Sequence, residues 1–89
     1  IEVSESILQT YVGKYEVAPN VHADITCEGN NLFVQITGQP KFDLFAYEET
    51  KFSLKVMDAQ IEFTKDEKRQ VNGLVLYQGK NKVPGKRVN

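Results

Sequence analysis

Cysteine, histidine and methionine each occur once in this chain of 89 residues, and tryptophan does not occur at all. A lone Cys27 can close no intrachain disulfide and cannot supply the paired thiolates of a cysteine-based metal site. A lone His22, with no other His or Cys near it, leaves no zinc constellation and no Ser/His/Asp or Cys/His triad. It reads as a solvated side chain beside Asn20, in a turn after Pro19. No run of 18 apolar residues is present, which excludes a membrane-spanning helix. The start also lacks the charged, apolar and small-residue series of a signal peptide. A chain this short buries only about 60 to 65% of its unfolded surface, enough for one modest core. Residues 1–89 are therefore expected to form a single domain. The start at Ile1 rather than Met points to a piece of a longer polypeptide.

Catalytic signatures are equally scarce. Glu48-Glu49 and Asp66-Glu67 are paired carboxylates, but both fall in turns, where solvation keeps a carboxylate ordinary rather than raised toward a general-acid value. Gly29, Gly38, Gly73, Gly79 and Gly85 are spaced as turn or bulge residues, not as a phosphate-cradling loop before a helix. No Ser-x-x-Lys nucleophile motif begins at Ser4, Ser6 or Ser53. No catalytic residue, cofactor or metal ligand is assigned.

The net charge of −1 hides a division. Residues 1–67 hold all the acidic groups and balance to −7, whereas residues 68–89 carry Lys68, Arg69, Lys80, Lys82, Lys86 and Arg87 with no acid. A basic stripe can grip phosphate, but nucleic-acid modules combine it with a positive total and exposed stacking aromatics. Nucleic acid is disfavoured as a partner. The basic segment is better used against acidic strands of its own fold or a neighbouring domain.

What is abundant is period-two alternation, in short runs bounded by Gly, Pro, Asn or Asp every 8 to 12 residues or so. Ser4 is placed to cap a helical turn through Thr10, with Ile7, Leu8 and Tyr11 on its apolar side and Gly13 stopping it. Strands follow over 14–17, 23–28, 32–36, 41–47, 51–56, 60–64, 71–78 and 82–88. Ala23, Ile25 and Cys27, then Leu32, Val34 and Ile36, share the apolar face, with Cys27 as a small buried hydrophobe. Phe42, Leu44 and Ala46, Phe52, Leu54 and Val56, and Ile61 and Phe63 continue it. The other face of the fourth strand is mixed, with Phe45 and Tyr47 as a candidate docking surface. Pro84 cannot donate to a ladder and belongs at a bulge or an unpaired edge.

Eight sequential strands predict an all-β fold, an antiparallel up-and-down barrel with a short N-terminal helix, since closure removes exposed edges. A two-sheet sandwich is the alternative. Such a barrel is either filled by side chains or holds one small ligand. The candidate lining residues are Phe42, Leu44, Phe52, Leu54 and Phe63, and with three phenylalanines inward the filled interior is favoured.

The segments Tyr11-Val-Gly-Lys-Tyr-Glu, Glu28-Gly-Asn-Asn-Leu-Phe-Val-Gln-Ile-Thr-Gly-Gln-Pro, Gly73-Leu-Val-Leu-Tyr-Gln and Val83-Pro-Gly-Lys-Arg-Val form a series. It resembles the lipocalin-like domain of unknown function at the C-terminus of many penicillin-binding-protein-like and β-lactamase-like serine hydrolases. The resemblance runs from Tyr11 to Val88. It implies a non-catalytic accessory role beside a catalytic domain of the same chain: shaping the active-site mouth, holding subunits together as a homo-oligomer, or stabilising the catalytic part. It also implies a periplasmic or secreted location. A second, architectural resemblance is to lipocalin-type barrels, in which an aromatic of the first strand packs near a basic side chain of the last. Tyr15 and Arg87 would be that barrel-closing pair here, with Tyr where those barrels have Trp. The alternative function is a carrier of a small apolar ligand.

Overall fold

The alternating segments close on themselves. In the computed structural model, which describes residues 1–88, a short helix α1 (Glu5–Gln9) precedes eight strands. These are β1 (Gly13–Ala18), β2 (Val21–Glu28), β3 (Asn31–Ile36), β4 (Lys41–Ala46), β5 (Lys51–Leu54), β6 (Ala59–Lys65), β7 (Val71–Gln78) and β8 (Asn81–Arg87). Each strand pairs antiparallel with the next, and β8 returns to β1, giving a closed barrel in sequence order. The expected fold class is observed.

Four turns use residues that tolerate a left-handed backbone, Asn20 at φ 62°, Gly29 at 60°, Gly38 at 80° and Gly79 at 57°, whereas the turn before β7 holds Arg69 at 62°. Primed hairpin turns need positive φ, which Asn and Gly supply at least cost. Gly73 and Gly85 do something else. Both sit within strands, Gly73 at the register shift between Thr64 and Lys65 of β6 and Gly85 in regular pairing with Leu74, and a Cβ on Gly73 would stand 2.5 Å from the Gly85 carbonyl oxygen. Absence of a side chain, not backbone freedom, is what those positions require.

Ser4 precedes α1 with extended backbone, but its hydroxyl approaches Ser6 Oγ at 3.2 Å and caps no N–H. The helix is held instead by its surroundings: Leu8 is buried in the core, and Thr10 Oγ1 donates to Ile7 O at 2.6 Å. A five-residue helix has no stability alone, so its placement is a tertiary effect. The chain after it carries Tyr11 into the barrel, where its ring stacks on Phe63 with centroids 4.2 Å apart. Phe52 meets both rings edge-on, at 5.8 Å from Tyr11 and 5.6 Å from Phe63. Tyr15 lies beside Phe63 at 5.9 Å.

Three expectations are corrected. Val56 does not point inward: β5 ends at Leu54, the next four residues form a turn, and Val56 is 67% exposed. Cys27 is only partly buried, its thiol donating to Gly29 O at 3.2 Å. His22 lies on β2 opposite Glu16 rather than in the preceding turn, its N–H bonded to Thr37 Oγ1 at 2.9 Å. Pro84 falls opposite Val75 of β7, before Lys86 and Arg87, the residues of β8 that have register partners in β1.

The two buried tyrosines make a pH prediction. Burial pushes both phenols up to about 12, with Glu49 adding to the effect at Tyr11 and Arg87 opposing it at Tyr15. Because the folded pKa exceeds that of the unfolded chain, the stabilisation is complete below pH 10 and is lost as pH rises through 12. Thermal melts are expected to be flat in this respect from pH 8 to about 10 and to fall steeply between about 10 and 12. Tyr11→Phe should reduce that drop.

Candidate functional site

The interior is the first place a ligand would be sought. Leu44, Phe52, Leu54 and Phe63 are all buried, and Phe42 is partly buried at one mouth. Tyr11, which the pattern placed only on the helix's apolar side, occupies the centre of the aromatic group and donates its hydroxyl to Glu49 O at 2.8 Å. Tyr15 donates to Tyr11 O at 2.7 Å. The polar ends of both rings are thus satisfied, as burial demands. At the open mouth, Ile36, Phe42, Leu54, Met57, Ile61 and Leu76 surround a cavity of about 30 Å³. That is roughly the share of one water, whereas small-molecule sites run to about 300–1,000 Å³.

Tyr15 and Arg87 are register partners across the β1–β8 seam, and the guanidinium carbon stands 5.8 Å from the ring centroid. Arg87 also reaches three backbone carbonyls. One terminal nitrogen donates to Thr10 O at 3.1 Å and Val71 O at 3.2 Å, and the other to Val12 O at 2.7 Å. One side chain therefore ties the helix exit and the start of β7 to the last strand. The fork geometry of guanidinium suits it to that task.

The outer surface carries a different feature. Five of the six exposed large hydrophobic side chains among the described residues lie on or beside β4 and β5: Ile1, Phe45, Tyr47, Val56 and Met57. Phe45 is 38% and Tyr47 45% exposed. Ile1 is anchored there by its amino terminus, which donates to Ala46 O at 2.9 Å. The seam is short, since only Phe45 and Ala46 of β4 have register partners in β5. An open groove of about 550 Å³ beside it is lined by Ile1, Val3, Phe45 and Lys55 and reaches the candidate lining residues Leu44 and Phe52. Lys55 lies over the Phe45 ring at 4.3 Å. Lys51 at the seam's end pairs with Glu48 at 3.5 Å, and Glu48 and Glu62 together raise its pKa. Spacing alone singled out Phe45 and Tyr47. Ile1, Val56 and Met57 were invisible to it: Val56 and Met57 lie in the turn after β5 ends, and Ile1 is placed by its amino terminus on Ala46 O.

No group of three or more His, Cys, Asp or Glu is placed to hold a metal among the described residues. Among the described residues no helix is long and apolar enough to cross a membrane.

Comparison with known proteins places this surface in context. Residues 1–87 match the model of a family described as a domain of unknown function, DUF3471. The chain is 32% identical over 76 residues to penicillin-binding protein 4* of Bacillus subtilis (strain 168), a match covering 85% of this chain and 17% of that protein. The chain thus spans about a sixth of the length of that curated relative. No solved structure matches.

Proposed function

The chain belongs to the DUF3471 family of domains, and from that premise we propose that it is the accessory domain of a penicillin-binding-protein-like serine hydrolase. In this reading it docks on the catalytic domain of the same chain through the β4–β5 face, governs access to the active site or stabilises that domain, and acts outside the cytoplasm. The observation that carries the reading is the exposure of Phe45 and Tyr47 on the outer side of β4, with Ile1 and Val56 each sharing a groove with Phe45. Exposed apolar side chains scattered singly need no partner, but a contiguous patch marks an interaction surface. The relative's name and the small share of it that this chain spans support a catalytic part lying elsewhere. At the Phe42 mouth the interior leaves about 30 Å³, too little for an apolar ligand. The larger space that reaches Leu44 and Phe52 is an open groove rather than an enclosed cavity, which supports the accessory role over a carrier.

The test is Phe45→Ser with Tyr47→Ser in the full parent protein. Both side chains point outward, so the domain's own melting is expected to shift little, by about 0.5 kcal/mol per surface site. Limited proteolysis should then release the domain faster, and KM or kcat should change. Proteolysis and kinetics identical to the parent's would reject docking by this face.

A further inference from the structure

Strand β4 has a stretch of free edge. Tyr47 donates its N–H to Lys51 O at 3.0 Å, and alternation along an antiparallel strand points the backbone groups of Phe45, Asp43 and Lys41 the same way. Strand β5 answers Phe45 and then ends at Leu54, its chain turning away over the next four residues. The N–H and C=O of Asp43 and Lys41 consequently have no backbone partner on that side among the described residues. They face a groove of about 350 Å³ lined by Lys41, Phe42, Asp43, Phe45, Lys55 and Val56. The intervening residues Phe42 and Leu44 pair with Val34 and Leu32 of β3, so the other side of the strand is satisfied.

Free strand edges are templates for another strand, and the side chains here specify which. Lys41 and Asp43 carry opposite charge on the outer face, one residue either side of Phe42. In an antiparallel copy whose twofold axis passes beside Phe42, Lys41 stands opposite the partner's Asp43, and Asp43 opposite the partner's Lys41. The four free backbone groups of each copy then meet those of the other in four N–H···O=C bonds. The side-chain pairs are attractive twice over. Asp43 takes part in no ion pair among the described residues, and the Lys41–Glu28 contact at 3.3 Å is exposed and weak enough to be exchanged. We propose that two copies of this chain pair edge to edge along Lys41–Asp43 of β4. The inference does not rest on docking by Phe45 and Tyr47.

Sedimentation velocity of the 89-residue chain between roughly 10 μM and 1 mM is the test, in low salt. A concentration-dependent dimer is expected. Lys41→Glu or Asp43→Lys alone sets like charges opposite each other twice and should raise the dissociation constant about tenfold or more. The double variant K41E/D43K restores opposite charges and should bring it back. Asp43→Pro removes a donor that the barrel's own ladders do not use, and should abolish pairing while melting cooperatively. A chain monomeric throughout, a double variant as weak as the singles, or a folded D43P that still dimerises would each overturn the proposal. If D43P does not fold, the charge-exchange series decides alone.

Discussion

Phe63→Ala is expected to destabilise the chain by about 3–5 kcal/mol, the cost of emptying an aromatic site in a core that relaxes only partly. Phe63 touches three rings: it is stacked on Tyr11 and meets Phe52 and Tyr15 at an angle. Domains of this size are stable by only about 5–15 kcal/mol, so the variant should melt far lower or be partly unfolded at 37 °C. The same substitution separates the two interior readings. In a packed barrel, the loss appears in the free protein and Phe63→Leu recovers much of it, because the volume is nearly restored. In a ligand-holding barrel, the free protein would barely notice Phe63→Ala and only binding would suffer. Chemical denaturation with an unchanged m-value is the measurement. A loss under about 1 kcal/mol would reject the packed interior.

Arg87→Ala is expected to cost about 2–4 kcal/mol. The guanidinium supplies donors to the carbonyls of Thr10, Val12 and Val71, and carbonyls left unsatisfied by its loss are costly where they are shielded from water. It also braces a seam in which β1 and β8 share only the pairs Tyr15–Arg87 and Glu16–Lys86. The ring–guanidinium separation of 5.8 Å is near the outer reach of a cation–π contact, so its share should be about 0.5–1 kcal/mol. A double-mutant cycle of Arg87→Ala with Tyr15→Ala reads that share directly, and strict additivity would reject the pairing. Tyr15→Phe, which keeps the ring but removes the hydroxyl bonded to Tyr11 O, separates the phenol's contribution from the ring's. Arg87→Lys should recover little, because an ammonium cannot span three carbonyls from a planar fork.

The strand count, the hairpin order and most of the inward face were decided locally. Alternation in Leu32-Val34 and Ile61-Phe63, punctuated by Gly29, Gly38 and Gly79, leaves little choice of period or turn, since side chains on a strand alternate by geometry and positive φ excludes most residues. Closure followed, because sequential hairpins with an even count can hide their edges only by meeting. The outward position of Phe45 and Tyr47 came from the same alternation.

What the tertiary structure alone decided lies where local pattern is silent. Periodicity treated Val56 as one more inward residue, because it could not see that β5 stops at Leu54, and that early stop is what exposes Val56 and frees the edge of β4. It placed Tyr11 on a helix flank, whereas closing the barrel's end required a large ring over Phe63. Spacing linked Arg87 to Tyr15 only by analogy. Its hold on Thr10, Val12 and Val71 depends on bringing together residues 16 to 77 positions apart in the chain. Gly73 and Gly85 looked like punctuation, yet a side chain at Gly73 would run into the Gly85 carbonyl, and one at Gly85 would press on the side chains of Val17 and Leu74. In each case the deciding interaction joins segments distant in sequence, and neither alternation nor turn chemistry carries information about such pairs.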